Sequence, residues 1–192
     1  MINGREKKLA AIQSNYIPWK GYFDIINSVD EFVILDDVQY TRRDWRNRNK
    51  IKTPNGPMWL TIPVLTKGNY NHLIQDVKVK GHAWRKTHWK SIQVNYAKSP
   101  YFHEYKNLFA NLYLESEKDY LSEINFEFLI TITKLLDINT RISWSKEYPL
   151  SNDKNQRLID LCKQTGSRKY LSGPSAKDYL NEDLFREAGI AV

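Results

Sequence analysis

The 192-residue chain has little of what metal centres and disulfide frameworks are built from. Cys162 is its single cysteine, which excludes an intramolecular disulfide and a zinc site made of several cysteines. The sequence also lacks HExxH and any His-x-His pair, so no dedicated metal site is predicted. It contains neither GxGxxG nor GxxxxGK[ST], and these missing phosphate loops leave classical dinucleotide-binding and P-loop folds unsupported.

Long hydrophobic runs are missing as well. No stretch approaches the roughly 20 apolar residues that span a bilayer, and residues 1–13 are too polar for a signal peptide. We therefore expect a cytoplasmic protein without a membrane span. The length suits a single domain covering residues 1–192, and we find no repeat, low-complexity tract or linker that would divide it.

Positive charge and aromatic residues are abundant. The net charge is +7, from 29 basic and 22 acidic residues, and aromatics make up 13% of the chain. Six of the basic residues cluster in one segment: Arg42, Arg43, Arg46, Arg48, Lys50 and Lys52. Such a surplus favours a partner that carries phosphate, either a nucleic acid or a phosphorylated small molecule. The concentration of charge in one short segment makes the small molecule the preferred interpretation.

The order of apolar segments predicts an α/β fold. Residues 9–13 suit a buried strand, 22–32 a short helix and 32–40 a second strand with an acidic end, which together form a βαβ unit. Further strands are predicted at 59–65, 74–79, 141–148 and 169–173, and helices at 84–96, 101–113, 117–137 and 152–166. The last of these helices should stop at Gly166. We predict a mainly parallel, Rossmann-like sheet flanked by helices.

Ligands of open parallel sheets bind beyond the carboxyl ends of the strands. The residues predicted at these ends are Gln13, Asn15, Tyr16 and Trp19 after the first strand, and Asp36, Asp37 and Gln39 after the second. A carboxylate here suits a general base or a ligand for a metal or ribose hydroxyl, although capping of the next turn is an equal alternative. Since neighbouring strand residues point to opposite faces, only one aspartate should enter a site.

The segment RRDWRNRN, residues 42–49, is the most unusual part of the sequence. In extended form it would place Arg46 and Arg48 on one face, and Arg43, Trp45 and Asn47 on the other. Arginine forks bind phosphate through paired hydrogen bonds, and a tryptophan ring can stack on a base or a sugar. The alternative is a solvated basic loop that pairs with surface carboxylates.

Two further positions are candidates for chemistry. His88 is the most suitable of the four histidines for acid–base work beside Asp37, although a structural histidine remains the alternative. Ser172, with Ser175 and Lys177, could hold an anion near the start of a helix, unless residues 173–174 form only a turn.

Several motifs carry a resemblance to a known family. The run IQSNYIPWKGYFDIINSVDEFVILDDVQYTRRDWRNRNKIKT resembles the opening of the WbqC-like family, and WLTIPV, WRKTHW, SPYF and YLSG follow in the expected order. Members often carry His and Pro around the first Gln, where this chain has Ile12 and Ser14. They also usually continue past the position of Val192, so the resemblance implies a member without the usual C-terminal segment.

What the resemblance implies about function is limited. Similar proteins are encoded among O-antigen and other cell-surface polysaccharide genes, which suggests a transferase that modifies an activated or amino sugar by acyl or aminoacyl transfer. The expected partner is a phosphorylated donor, either a nucleotide sugar or a coenzyme A compound, and the identity of any cofactor stays unknown. A nucleic-acid-binding module and a non-catalytic scaffold remain the alternatives.

Overall fold

The computed structural model describes residues 5–66, 72–173, 176 and 180–192. Its elements in chain order are β1 (Lys8–Ile12), α1 (Lys20–Asn27), β2 (Glu31–Ile34), β3 (Arg48–Thr53), β4 (Gly56–Thr61), α2 (Ala83–Tyr96), α3 (Phe102–Leu114), α4 (Leu121–Leu135), β5 (Arg141–Trp144), α5 (Lys154–Thr165), β6 (Lys169–Tyr170) and α6 (Glu182–Glu187). The chain forms two compact units. The first takes residues 1–13, 19–37 and 133–192, and the second takes residues 14–18 and 38–132. That the whole chain is a single domain stays a prediction.

The first unit is built on a parallel sheet with the strand order β5-β2-β1-β6. Leu9 lies opposite Glu31 in the β1–β2 pair, and Ile34 lies opposite Trp144 in the β2–β5 pair. All four residues of β2 are buried, as expected for a central parallel strand covered on both faces. The sheet and its flanking helices confirm the predicted α/β class and the βαβ unit at its start.

Helix α5 follows the sheet strand β5 and is capped at both ends. The side chain of Asp153 accepts hydrogen bonds from the amides of Asn155 and Gln156, which satisfies two donors of the first turn. Gly166 ends the helix in the left-handed conformation, with φ of 71°. The predicted stop at Gly166 is therefore confirmed, and the first turn of α5 is fixed in place.

The second unit combines a β-hairpin with helices. Strands β3 and β4 pair antiparallel, and α2, α3 and most of α4 accompany them. The core of this unit is aromatic, with Tyr16, Trp84, Trp89, Tyr113 and Phe128 packed together. Their rings meet mainly edge to face, as between Tyr16 and Phe128, whose centroids are 5.6 Å apart.

Several sequence predictions for the second unit were wrong. Residues 42–47 form turns and β3 begins only at Arg48, so the predicted alternation of faces along 42–48 does not exist. The Asp44 carboxylate causes the turn, because it accepts hydrogen bonds from the Thr41 hydroxyl and the Trp45 amide, both at 2.7 Å. The strand predicted at 59–65 is β4, which ends at Thr61, before Pro63.

Other helices and strands of this unit also differ from the sequence predictions. Ile74–Asp76 is a short 3₁₀ helix instead of part of a strand, and only isolated bridges form at Lys78 and Val79. Helix α4 spans Leu121–Leu135, shorter at both ends than the predicted 117–137, and Leu135 is exposed rather than on its buried face. Over the described residues, no helix has the length and hydrophobicity needed to cross a bilayer.

Candidate functional site

The carboxyl ends of the sheet strands in the first unit border a cavity of about 350 Å³. Its walls include Ala11 and Gln13 from the end of β1, Leu35 from the end of β2 and Tyr170 from β6. A cavity at this place is what the parallel topology predicts. Its volume lies at the lower end of the range of small-molecule sites.

The first turn of α5 closes one side of this cavity with two basic side chains. Lys154, Arg157 and Leu158 line it, at the spacing that puts residues on one helix face. The positive end of the helix dipole lies at the same turn, which adds to the attraction for an anion. Positive charge therefore borders a cavity whose other walls are largely apolar.

The Arg157 side chain is held by the protein backbone and by a carboxylate. Its Nε donates to the Ser151 carbonyl oxygen at 3.0 Å, and its Nη1 lies 3.5 Å from Asp37 Oδ1 and 3.4 Å from the Asp37 carbonyl oxygen. These contacts use Nε and Nη1. Among the described residues none takes a hydrogen bond from Nη2, which leaves that nitrogen for a ligand oxygen.

The two aspartates after β2 have different environments. Asp36 is buried, whereas Asp37 is partly exposed, accepts a 2.5 Å hydrogen bond from the Ser145 hydroxyl and pairs with Arg157. Ser145 directly follows β5, the neighbour of β2 in the sheet. The ends of β2 and β5 and the first turn of α5 thus hold the Asp37 carboxylate against Arg157, which lines the cavity, while Asp37 itself is not among the described residues of the lining.

Three other predicted residues also belong to the first unit. Gln13 lines the cavity, and its carbonyl oxygen accepts a 3.0 Å hydrogen bond from the Tyr22 hydroxyl. Trp19, 68% exposed, covers Gly21 so closely that a Cβ atom at Gly21 would clash with its ring. Ser172 is half-buried two residues after β6, while Ser175 and Lys177, proposed with it as an anion site, lie outside the described residues.

The predicted arginines of residues 42–48 are engaged inside the second unit. Arg46 donates to Asn15 Oδ1 and lies 3.6 Å from Asp44 Oδ2. Arg48 donates to the Arg43 carbonyl oxygen. The role of Arg46 and Arg48 as phosphate ligands stays a prediction, but the structure gives both guanidinium groups protein partners.

A small aromatic and basic surface remains open on the β3–β4 hairpin. Trp45 and Trp59 are about half exposed, and their ring centroids are 5.5 Å apart. The Arg48 guanidinium lies 4.3 Å from the Trp59 ring centroid, and Lys50 Nζ lies 4.7 Å from it. Trp45, which the sequence analysis named as a stacking residue, is therefore accessible, and so is Trp59, which it did not name.

Tyr16 and His88 lie in the core of the second unit. The Tyr16 hydroxyl is 3.0 Å from His88 Nδ1 and 2.5 Å from the Tyr113 hydroxyl. Burial lowers the pKa of His88 to about 4, so its imidazole is neutral at pH 7. Only 5% of His88 is exposed, and this environment favours the structural interpretation of the histidine.

The remaining predicted residues have local roles. Asn47 donates from Nδ2 to the Ile62 carbonyl oxygen at 2.8 Å and so fixes the chain after β4. Gln39 is exposed and forms an isolated bridge with Leu73. Arg43 is exposed with a φ of 59°, a turn conformation. In the described part of the chain, no group of three or more histidine, cysteine or acidic side chains is placed to hold a metal ion.

Sequence reasoning missed three residues of the strand-end site: Ser145, Lys154 and Arg157. The available signal was the helix that follows the strand at 141–144, because its N-terminal turn had to lie near the carboxyl ends of the parallel strands. Basic residues at positions 1 and 4 of that helix were visible in the sequence.

Fold and site together define an α/β protein whose parallel sheet carries a basic cavity at its carboxyl ends. The chain belongs to the WbqC-like protein family, whose model matches residues 13–192. It is 46% identical over 186 residues to a Mycobacterium tuberculosis protein described as the uncharacterized protein Rv1507c. That alignment covers 97% of this chain and 80% of the relative. No solved structure matches the chain significantly.

Proposed function

We propose that this protein is a cytoplasmic transferase of bacterial cell-surface polysaccharide synthesis that binds a phosphorylated donor in the cavity at the strand ends. The observation that carries the proposal is the pair of basic side chains, Lys154 and Arg157, on the wall of that cavity. The polysaccharide context comes from the WbqC-like family, which this chain resembles in its NYIPWKGYFD and DWRNRN motifs.

The donor's phosphate would lie against the first turn of α5. There Arg157 offers Nη2, Lys154 offers an exposed ammonium group, and the helix dipole adds partial positive charge. The two N–H groups of Nη2 can each donate a charge-assisted hydrogen bond to a phosphate oxygen. A nucleotide sugar and a coenzyme A compound both present such a group.

Asp37 is the acid–base candidate. Its hydrogen bond from Ser145 and its contact with Arg157 hold the carboxylate in one orientation. In an acyl transfer from a coenzyme A thioester to an amino sugar, the amine forms the new amide bond as the thioester bond breaks, and coenzyme A leaves as its thiolate, which takes up a proton. A carboxylate placed as Asp37 is would take the proton that the attacking amine loses. His88 does not enter this scheme, because its side chain is buried and already bonded to Tyr16.

The test is isothermal titration of the purified protein with a nucleotide sugar, acetyl-coenzyme A and ATP. Arg157→Gln should weaken the binding of the phosphorylated ligand about tenfold or more, since a charge-assisted bond contributes roughly 1.5–3 kcal/mol. Lys154→Gln should have a smaller effect of about threefold, because Lys154 is exposed.

Arg186→Gln is the matched control, because Arg186 is also an arginine of the first unit but lies on α6, exposed and paired with Asp183 at 2.7 Å. Its affinity for the donor should equal that of the unmodified protein. Melting temperatures would show that each variant is folded. Equal affinities for Arg157→Gln and Arg186→Gln would refute the strand-end site.

The exposed tryptophans of the hairpin favour a second candidate, the binding of single-stranded nucleic acid. Trp45 and Trp59 offer rings for stacking, and Arg48 and Lys50 provide positive charge beside them. An oligonucleotide added to the titration panel tests this directly. Binding that is lost with rising salt and with Trp59→Ala, but not with Arg157→Gln, would replace the transferase proposal by this one.

A further inference from the structure

The second unit contains an apolar cavity of about 370 Å³ that is separate from the site of the proposed function. Helix α2 lines it with Trp89, Ile92 and Tyr96, which recur at the spacing of one helix face. Trp89 is buried in the core, whereas Ile92 and Tyr96 are only partly buried. Helix α2 thus presents a partly uncovered apolar face to the cavity.

Helix α3 lines the cavity with a matching face made of Phe102, Tyr105, Lys106 and Phe109. The lining residues span eight positions on each helix, from 89 to 96 and from 102 to 109, and the seven steps between the ends correspond to about 10 Å at 1.5 Å per residue. The cavity is therefore lined by about two turns of each helix.

Ile17 lines the cavity in a strained backbone conformation. It adopts a φ of 44° although it is β-branched and precedes Pro18, two features that both disfavour this conformation. Asn49 Nδ2 donates to the carbonyl oxygens of Ile17 and Tyr16, which holds the strained turn in place. Residues held in such conformations concentrate at ligand-binding sites.

The wall is also fixed on the side of the hairpin. The Tyr96 hydroxyl accepts a 3.0 Å hydrogen bond from the Lys52 amide, and Ile51 of β3 lines the cavity next to it. The phenol group of Tyr96 is therefore engaged by the backbone, while its ring remains part of the apolar wall. A cavity with anchored walls stays open without a ligand, which lowers the cost of binding.

Among the described residues that line this cavity, Lys106 is charged and exposed, and none is acidic. Within the part of the chain that the structure describes, Lys106 takes part in no salt bridge. A ligand with an apolar body and an anionic end would satisfy both the wall and this ammonium group.

We propose that this cavity binds an acyl chain of medium length, with the anionic end of the ligand paired to Lys106. An extended chain of eight carbons spans roughly 9 Å, because bonds of about 1.5 Å at the tetrahedral angle each advance the chain by about 1.25 Å, and this is close to the length of helix that lines the cavity. The volume is more than twice the roughly 150 Å³ that accommodates benzene in an apolar protein cavity. The proposal does not depend on the strand-end site or on the transferase function.

The test is calorimetric titration of the full chain with octanoate, octanol and benzoate. We expect octanoate to bind with one-to-one stoichiometry and benzoate to bind more weakly, because benzoate fills less of the cavity. Lys106→Gln should weaken octanoate binding about two- to fivefold, as expected for an exposed ion pair, and leave octanol binding unchanged. Lys90→Gln, an exposed lysine of α2 that does not line the cavity, is the control.

Two variants fill the cavity: Ile92→Trp from the helix and Ser99→Phe from the connection between α2 and α3. Each should abolish the binding of octanoate and octanol, and a retained circular dichroism spectrum and melting transition would show that the variant is folded. At least one of the two must fold for the test, and Ser99→Phe changes no core position.

Three results would overturn the proposal: no octanoate binding, octanoate binding that both filling variants leave intact, or tighter binding of benzoate. A concentration-dependent dimer in sedimentation experiments, abolished by Ser99→Phe, would instead assign the cavity to a second copy of the chain. The Arg157→Gln variant should bind octanoate normally, so failure of this proposal and of the proposed function can be told apart.

Discussion

Each unit buries a cluster of polar side chains, and the cluster of the first unit is charged whereas that of the second is neutral. In the first unit, the fully buried Glu31 carboxylate accepts hydrogen bonds from Lys7 at 2.8 Å, Ser143 at 2.8 Å and Tyr148 at 2.7 Å. Burial alone would raise the pKa of Glu31, but the bonds from these three residues lower it overall. This cluster therefore keeps its charge.

In the second unit, the cluster of Tyr16, Tyr113 and His88 is neutral. Burial raises the pKa of both tyrosines and lowers that of His88 to about 4. His88 also forms a hydrogen bond with the Thr61 backbone that favours the protonated ring, which places the single proton of the neutral imidazole on the nitrogen away from Tyr16. His88 Nδ1 then accepts from the Tyr16 hydroxyl, which in turn accepts from Tyr113. The cluster thus forms a directed chain of hydrogen bonds without a charge.

The two clusters and the cavity at the strand ends involve different residues. Glu31 begins β2 at the amino end of the sheet and bonds Ser143 of the adjacent strand, so it fixes the end opposite the cavity. The tyrosine–histidine chain fixes the aromatic core of the second unit. Both are perturbed titratable clusters, yet neither Glu31 nor His88 lines a cavity at the strand ends. Unusual pKa values here mark structural positions.

Among the variants that test the difference between the charged and the neutral cluster, we expect the largest change in stability for Glu31→Gln. The substitution removes the buried negative charge that pairs with the partly exposed Lys7 and accepts from two hydroxyl groups, so the free energy of unfolding should fall by about 3 kcal/mol at pH 7. Urea denaturation measures this change. Glu6→Gln is the control, because Glu6 forms an exposed pair with Lys169 and should change stability by under about 0.5 kcal/mol.

The same variant has a defined pH dependence. Since the pKa of Glu31 is lower in the folded state, its stabilisation is fully present above the unfolded value of about 4.3 and is lost as pH falls through the folded value. The difference in stability between the native protein and Glu31→Gln should therefore shrink as pH falls below the unfolded value of about 4.3. A difference independent of pH would show that Glu31 is not charged in the folded state.

The next largest effect is the pH dependence of stability that His88 causes, in a higher pH range than that of Glu31. Its pKa is about 4 in the folded state and about 6.5 in the unfolded chain, so the unfolded chain binds more protons between these values. Stability should therefore fall as pH decreases below 6.5, by about 2 kcal/mol between pH 7 and pH 5. Urea denaturation at several pH values measures it.

His88→Gln keeps a hydrogen-bonding side chain but does not titrate, and it is the matched variant for this window. The loss of stability between pH 7 and pH 5 should be smaller in this variant by about the amount assigned to His88. If the variant does not fold, the NMR titration of the His88 ring in the native protein replaces it. A pKa of His88 near 6.5 would contradict the neutral cluster.

The sequence predicted the fold of the first unit well and that of the second less well. Parallel strands produce continuous apolar runs, such as LAAIQ and FVILDD, that are easily recognised, and Gly166 marked the end of α5. In the second unit the turn at 42–47 depends on hydrogen bonds of Asp44, which an alternating pattern of charges conceals. Hydrogen bonds of the Asp44 side chain set the backbone conformation of this segment, and the spacing of residue types in the sequence does not reveal them.

The candidate site was predicted only in part for a related reason. Gln13 and Asp37 follow the first two strands directly, and topology alone brings them to the sheet edge. Arg157 comes from a helix 120 residues after Asp37, and no local pattern indicates that contact. Conversely, the role of Arg46 as a phosphate ligand rests on its neighbours in sequence and stays a prediction, while its guanidinium group bonds Asn15 in the structure.

The smallest effect in this comparison distinguishes the two tyrosines of the neutral cluster. Tyr16→Phe removes both hydrogen bonds and leaves the Tyr113 hydroxyl and His88 Nδ1 without that partner, so it should cost about 1.5 kcal/mol of unfolding free energy. Tyr113→Phe removes one bond and leaves the Tyr16–His88 bond intact, so it should cost about half as much. Both variants keep the packed ring, and urea denaturation at pH 8, where His88 is neutral in both states, isolates the hydrogen bonds. If Tyr113→Phe proved the more destabilising of the two, the central position of the Tyr16 hydroxyl would be wrong, because a hydroxyl bonded on both sides must contribute more than a terminal one.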